Sequence, residues 1–485
     1  MKTLQENVQK VQRALNLVST PELCCLDLAS EVGEVAKEVL ELTNYGKRKH
    51  IYNPDLAREL GDAFYSMISL ANIYDIDLKN ELERSLQKYR KRESQRDSKN
   101  RKVTLEPIVL AKNFLSINAI AGCRNNCVYC YKHGWDIKDK FIPKQIYNPQ
   151  TILKALKRHK YYHPRVPLAI HNSATDPFQT GVTETTFEIL DGLEKMKISN
   201  VVGLITKEYL SKNLIKKLES YKYIRLVIFV TFSCLPKKYE NVINDRRLAT
   251  MKNLKNSKLK KVLYFRPIIK DVNDNKKTVK RIIELGENYF DCIVRSSVKL
   301  DINTVEYMAK KGLYVDPSYD IGLNIHDSLK QMPADTRARV DSMLQGAKIP
   351  YFKKTSCAIS YLFKEADYNT QWVRKEYYCS SSCPKEQKAK CHDKSFRKPN
   401  AKEIKKLINT LNLNVKYEIQ DRQIILKGEN FFYSDIKFMR MVLGFPVLAL
   451  RDGQSMTAEE YDRKYVNVDR TEIRKQIKKI GILGY

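Results

Sequence analysis

The 485-residue chain has no run of eighteen apolar residues, so it offers no membrane-spanning helix. Its first residues, Met-Lys-Thr-Leu-Gln-Glu-Asn, form no apolar signal core, and a cytoplasmic protein without a membrane partner is expected. Acidic side chains are scarce beside basic ones, 56 against 87, and the net charge is +31. The shortfall is uneven. Residues 1–95 hold 14 basic and 15 acidic side chains, a net of −1, which leaves +32 on the remainder. Such a bias suits a polyanionic partner, a nucleotide or nucleic acid, against the alternative of a Lys-rich solvated surface. A hydrophobic content of 43% excludes a disordered chain, and the length suits two or three domains. Eleven cysteines without a secretion signal read as metal or redox chemistry rather than a disulfide scaffold.

Three of those cysteines, Cys123, Cys127 and Cys130, are packed as C-x3-C-x2-C after the apolar run Phe114–Ala121 and Gly122. No fourth cysteine is near. A mononuclear zinc site wants four protein ligands or three plus water, usually in separate pairs. Three close thiolates instead suit an iron–sulfur cluster with one open iron, against a trio of core cysteines or half a zinc knuckle. With Tyr129 just before the last cysteine, the stretch resembles the signature of the radical S-adenosylmethionine (SAM) superfamily. That resemblance implies a 4Fe–4S cluster whose open iron chelates SAM, and an electron donor of flavodoxin or ferredoxin type.

Residues 1–95 are dominated by helical periodicity, with apolar positions at i, i+3, i+4 over Val8–Val18, Leu23–Leu42, Leu56–Tyr74 and Leu78–Tyr89. Four helices predict a small bundle, with Pro54-Asp55 opening the third and Asn44-Tyr-Gly46 closing the second. Glu31 and Glu34 lie one turn apart on the second helix, as do Glu59 and Asp62 on the third. Two such pairs on adjacent helices can converge. Four converging carboxylates repel one another unless Mg2+ or Mn2+ neutralises them; the alternative is a solvated acidic face. The pattern Glu31-x-x-Glu34…Glu59-Leu60-Gly61-Asp62 resembles the MazG-like all-α NTP pyrophosphohydrolases. Ala71-Asn72-Ile-Tyr-Asp-Ile-Asp77-Leu and the ending Lys88-Tyr-Arg90-Lys-Arg92 support it. The family implies that these four carboxylates are catalytic, holding magnesium for cleavage of an NTP to NMP and pyrophosphate. It also implies a homo-oligomer, because neighbouring subunits complete the bundle.

A charged linker at 96–110 leads into residues 111–350, where short β-rich runs alternate with amphipathic helices. The expected strands are Phe114–Asn118, Pro167–His171, Val201–Thr206, Ile224–Thr231, Val262–Pro267 and Cys292–Arg295. Strand–helix repetition predicts a parallel sheet, a partial (β/α)6 barrel with its site at the strand C-termini. The cysteine loop follows the first strand. Thr175-Asp176-Pro-Phe-Gln179, Ile205-Thr-Lys207, the Ser233 turn, Asn244-Asp-Arg-Arg247-Leu and Arg266-Pro-Ile-Ile-Lys-Asp-Val-Asn273-Asp resemble the branch related to spore photoproduct lyase. The resemblance spans roughly residues 110–300 and implies reductive SAM cleavage to a 5′-deoxyadenosyl radical. Ser173, Thr175, Asp176, Lys207, Ser233, Arg247 and Arg266 are the candidate cofactor-binding residues. Ser173 stands where those lyases place their hydrogen-donating cysteine, which argues against repair of the thymine lesion. Cys234 and Cys292 could donate a thiol hydrogen, though buried core is the more expected role for both.

Residues 351–400 carry a second cysteine group, Cys357, Cys379, Cys383 and Cys391, with His392 as a fifth candidate. It suits a second 4Fe–4S cluster or Zn2+. Tyr361, Trp372, Arg374, Tyr377 and Tyr378 could stack bases or pack around the metal loop. Residues 401–485 read as a small basic α/β accessory domain, followed by a basic tail, Arg470–Lys479; the domain's basic helices could clamp a polynucleotide or cover the barrel. The fold class is therefore multidomain: an all-α bundle, a central partial barrel and a small C-terminal α+β domain. The expected function is bifunctional, NTP pyrophosphohydrolysis joined to radical modification or repair of a nucleic acid or nucleotide. Housecleaning of a damaged nucleotide and defence against phage are two logics for the fusion. The alternatives are a peptide- or protein-modifying enzyme with an auxiliary cluster, and a non-catalytic nucleic-acid-binding redox sensor.

Overall fold

The structure, a computed structural model, describes residues 2–17, 20–43, 53–85, 106–134, 140–172, 174–242, 244–322, 332–374, 379, 382–428, 432–451 and 454–457. Ser173, the turn at Asn44–Gly46, Lys88–Arg92, linker residues 96–105, Tyr377, Tyr378 and the basic tail Arg470–Lys479 lie outside the described residues. The chain divides into two compact units, Met1–Arg101 and Lys102–Tyr485.

The first unit contains helices Lys2–Ala14, Pro21–Leu42 and Pro54–Ile73, and residues 78–85 are helical as well. All four expected helices are present, the first starting six residues before Val8. Local chemistry sets two of the starts. Thr20 Oγ1 accepts from the Leu23 amide at 3.4 Å and Asn53 Oδ1 from the Asp55 amide at 3.0 Å. Each cap is followed by proline in the first turn, where its missing N–H costs nothing. Gln5 ties the first helix to the end of the third, donating to Asn72 Oδ1 at 3.1 Å and accepting from the Leu78 amide at 3.1 Å.

The second unit is built on strands β1 (Ile108–Leu110), β2 (Leu115–Ile117), β3 (Ile120–Ala121), β4 (Lys144–Gln145), β5 (Leu168–Ile170), β6 (Val201–Thr206) and β7 (Arg225–Thr231). It continues with β8 (Lys260–Ile268), β9 (Cys292–Ser297) and β10 (Tyr351–Phe352). One eight-stranded sheet runs β1-β2-β5-β6-β7-β8-β9-β10. Only β1 is antiparallel to its neighbour; the rest are parallel, in chain order. All six expected strands are in this sheet. β1 and β10 extend it to both sides of the 111–350 span read from the sequence, because three- and two-residue strands carry too little periodicity to be seen.

Alternation along the strands sorts side chains onto two faces. Leu226, Ile228 and Val230 of β7 and Leu263 and Phe265 of β8 pack with helix residues such as Leu156, Leu190, Met251 and Ile282. Val227, Phe229, Val262, Tyr264, Cys292 and Val294 face the other way and pack on Ala358, Ile359 and Leu362. Those last three belong to helix Thr355–Leu362, which plugs the inner face.

The C-terminal part forms a separate sheet, β11 (Lys416–Gln420), β12 (Gln423–Lys427), β13 (Val447–Arg451) and β14 (Gln454–Thr457), with β12 and β13 parallel. Helix Tyr433–Leu443 is buried almost throughout, Lys437 and Arg440 included. Lys437 Nζ donates to the Leu110 carbonyl at 2.8 Å and Asp435 accepts from Tyr161 Oη at 2.8 Å. Lys437 is therefore spent on the barrel. Of the two roles read from the sequence, covering the barrel is the one this helix fills.

Candidate functional site

In the first unit the bundle geometry brings three of the four expected carboxylates together. Glu31, Glu59 and Asp62 each offer a carboxylate oxygen within 4.8 Å of the others, a spacing that one cation can bridge. Burial, then Asp62, Asp27, Glu59 and Glu34, raises the Glu31 carboxyl above its ordinary value. Glu34 lies outside this group; it is exposed, as Asp62 is, and sits 3.8 Å from Lys37 one turn on. The crowd of like charge is what a divalent cation relieves. Asp27, not foreseen from the sequence, is held on the same helix by Ser66 Oγ at 2.5 Å.

In the second unit the Cys123–Cys130 loop leaves the C-terminal end of β2, on the side where β6 and β7 also end. Gly122 enters it at φ 94, and any Cβ there would collide with the Ile142 carbonyl. Gln179 pins the first turn: its Oε1 accepts from the Arg124 amide at 3.0 Å and its Nε2 donates to Cys123 Sγ at 3.2 Å. The Val128 amide donates to the Tyr239 carbonyl at 3.0 Å. Below the loop lies Glu240, 1% exposed, 2.6 Å from Lys207 Nζ and 2.8 Å from the fully buried Arg247. Tyr129 Oη donates to the same carboxylate and accepts from Lys207. Burial alone would raise the Glu240 carboxyl; Lys207 and Arg247 outweigh it and hold it at about 2.

The three cysteines sit close enough to feel one another's charge. Burial lifts the Cys127 thiol to about 12 and raises Cys130 as well. Such thiols ionise only against a compensating positive centre, which is what an iron–sulfur cluster provides. The residues present fit that group.

Residues 19–96 match the family model described as the MazG nucleotide pyrophosphohydrolase domain. The N-terminal unit is a MazG domain. The matched span of this MazG domain holds all four carboxylates, Glu31, Glu34, Glu59 and Asp62. No curated protein matches the chain. Among solved structures it is similar to a spore photoproduct lyase mutant with bound AdoMet and dinucleoside spore photoproduct, at 14% identity and TM-score 0.38, covering 52% of this chain and 79% of that one. It is similar also to a radical SAM methyltransferase from Sphaerobacter thermophilus, at 10% identity and TM-score 0.33, covering 51% and 69%. A third is TsrM, a radical S-adenosylmethionine methyltransferase from Kitasatospora setae, at 9% identity and TM-score 0.32, covering 42% and 38%.

The cofactor-binding candidates beyond the MazG domain fare unequally. Asp176 is buried at the strand ends and accepts from Thr206 Oγ1 at 2.7 Å, the Lys207 amide at 2.6 Å and the Phe178 amide at 3.1 Å. Burial first, then Glu208, raises it to about 7. Thr175 is buried with its hydroxyl unpartnered, beside His171, whose two ring nitrogens are also unpartnered. Ser233 accepts from the Leu235 amide at 3.2 Å, and Arg266 lies 4.0 Å over the Tyr264 ring. Lys207 and Arg247 are committed to Glu240 rather than free for a ligand. Cys234 follows β7 at the cysteine-loop end, whereas fully buried Cys292 opens β9 at the other end and is core. Sequence reasoning missed Glu240; a lone Glu after Lys237-Lys-Tyr carries no spacing signal.

Glu240→Gln leaves Lys207 and Arg247 without their counter-charge, and breaking such a buried pair costs about 3–5 kcal/mol. Lower iron retention and a lower melting temperature are expected in the variant. In the native protein the pair's stabilisation is fully present above the unfolded carboxyl value, near 4.3, and is lost as pH falls toward about 2. Unchanged melting and iron content in Glu240→Gln would remove this network from the account of the site.

Proposed function

We propose that the chain is a bifunctional enzyme that hydrolyses an NTP to NMP and pyrophosphate at Glu31, Glu34, Glu59 and Asp62 and cleaves SAM reductively at the Cys123–Cys130 loop. The observation that carries the first activity is the closure of Glu31, Glu59 and Asp62 to within 4.8 Å inside a MazG domain. Glu31, Glu59 and Asp62 would hold a Mg2+ or Mn2+ ion, which would supply an activated water and screening of the triphosphate charge. Glu34, one turn from Glu31, completes the set by rotating away from Lys37. Glu31→Gln or Glu59→Gln is expected to lower Mg-dependent NTP hydrolysis roughly 100-fold or more. Undiminished pyrophosphate release in both would sink the assignment.

The second activity is supported by three cysteines held in a rigid loop at the C-terminal ends of a parallel sheet, the position that the superfamily resemblance implies. Cys123, Cys127 and Cys130 would hold a 4Fe–4S cluster, which delivers the electron that breaks a carbon–sulfur bond of SAM. The chain's own groups position the cofactor: Gln179 and Glu240 fix the loop, while Thr175 and His171 offer unpartnered polar atoms at the strand ends. The net of +32 outside residues 1–95 supports a polyanionic substrate, nucleic acid or nucleotide. Housecleaning or phage defence would be the setting. Anaerobically reconstituted protein with SAM, a reductant and pools of NTPs, DNA or RNA is expected to release 5′-deoxyadenosine, and Cys127→Ala to release none. A bound cluster without SAM cleavage would make this a redox-sensing module instead.

Self-association is part of the same reading. Leu23 is 57%, Leu26 68%, Val32 54% and Leu60 53% exposed on the two long helices, apolar surface that a second copy of the bundle would cover. The chain of 56.6 kDa is expected to sediment as a multiple of that mass, and Leu26→Asp with Leu60→Asp to return it toward monomer. A monomeric native protein would overturn this.

A further inference from the structure

The second cysteine group has no part in either activity described above. Its address is informative. Residues 361–369 run along the N-terminal ends of the parallel strands, opposite to the end where Cys123–Cys130 lie. Glu365 pairs with Arg225, the first residue of β7, at 2.8 Å, and the Arg225 guanidinium lies 5.0 Å over the Phe363 ring. Tyr368 Oη donates to the Asn113 carbonyl at 3.0 Å, and Asn369 Nδ2 to the Lys112 carbonyl at 3.2 Å, just before β2. Cys391 is fastened to this segment. Its sulfur accepts from the Asp367 amide and from Gln387 Nε2, each at 3.5 Å. Cys357 and Cys383 pack against the inner-face core around Phe229 and Tyr264. Ser382, next to Cys383, exchanges hydrogen bonds with the backbone of Tyr351 in β10, each at 3.1 Å. Cys357, Cys379, Cys383 and Cys391 thus lie near one another.

We propose that Cys357, Cys379, Cys383 and Cys391 bind a second iron–sulfur cluster, which clamps the plug helix Thr355–Leu362 and β10 to the N-terminal end of the sheet. Cys357 and Cys383 pack on one core and the Cys391 sulfur is fixed by two N–H donors, so the thiols are presented as a set with the four-cysteine ligand count of a cluster. Spacing selects the metal. Tetrahedral zinc with Zn–S bonds of about 2.3 Å draws its sulfurs to about 3.8 Å apart. Among the described residues, the group that closes to within 4.8 Å is Glu31, Glu59 and Asp62, and no three of these four sulfurs do so. A polynuclear cluster holds its thiolates farther apart than one ion does. N–H···S bonds such as those to Cys391 are the usual surroundings of cluster sulfurs. Because this centre lies at the opposite end from the Cys123–Cys130 loop, it touches neither SAM nor substrate; its role is to hold the fold.

The triple variant Cys123→Ala/Cys127→Ala/Cys130→Ala removes the first cysteine set and leaves the second intact. After anaerobic reconstitution with iron and sulfide it is expected to keep about two to four irons per chain with matching acid-labile sulfide. Stripping that iron should lower its melting temperature. Adding Cys383→Ser and Cys391→Ser should abolish the residual iron. About one zinc per chain in place of iron, no metal at all, or residual iron that survives the added substitutions would each overturn the proposal. If the triple variant is insoluble, Cys383→Ser alone decides: native iron content falls by about two to four, and an unchanged content overturns it. Equal iron in the native protein and the triple variant would instead count against the first cluster, so the two assignments fail separately.

Discussion

A single buried carboxylate organises the cysteine-loop end of the barrel. An unpaired Glu240 at 1% exposure would be costly enough to stay protonated or to open the fold. It is ionised because Lys207, from the end of β6, and Arg247, from helix Asn244–Leu254, converge on it. Tyr129, from within the cysteine loop, joins them. Three chain segments are thereby fixed to one point. The loop that carries Cys123, Cys127 and Cys130 is held by this charge network from below and by Gln179 from the side, so its thiols are positioned before any metal arrives.

The sheet separates its two cysteine groups as a consequence of parallel topology. Within the eight-stranded sheet every strand but β1 points the same way, so the strand ends gather on one side and the strand starts on the other. The Cys123–Cys130 loop occupies one end, where Asp176, Thr175 and His171 are also found. The opposite end is closed by residues 361–369, the continuation of the helix that fills the inner face. A partial sheet exposes its inner face to water unless something covers it. Here the cover is apolar, Ala358, Ile359 and Leu362 against Phe229 and Tyr264, and it begins in the cysteine-bearing helix.

The MazG domain solves a different electrostatic problem. Its helices bring Glu31, Glu59 and Asp62 together, and burial with this like charge raises the Glu31 carboxyl, whereas Lys207 and Arg247 lower that of Glu240. Glu34 keeps its own exposed neighbour, Lys37. The same charge, carboxylate, is thus held in the two units in opposite ways: paired with bases beside the cysteine loop and crowded with its own kind in the bundle.

Much of this was written in local patterns. Helical periodicity with Thr20-Pro21 and Asn53-Pro54 starts defined the bundle, because caps and apolar spacing act over a few residues. Strand–helix alternation gave the parallel sheet, and the i, i+3 acidic pairs and the C-x3-C-x2-C spacing marked both centres. The positions that only tertiary structure decided are those whose partners are far away in sequence. Glu240 meets Tyr129 across 111 residues, and Lys437 meets Leu110 across 327. β1 and β10 are too short to announce themselves, and the burial of Lys437 and Arg440 reverses what their charge suggests. Sequence determined which residues could bind metal, since ligand chemistry is a property of residue type and spacing. Tertiary structure decided which end of the sheet each cysteine group occupies and which charges remain unspent, since both depend on where long-range pairing brings the chain.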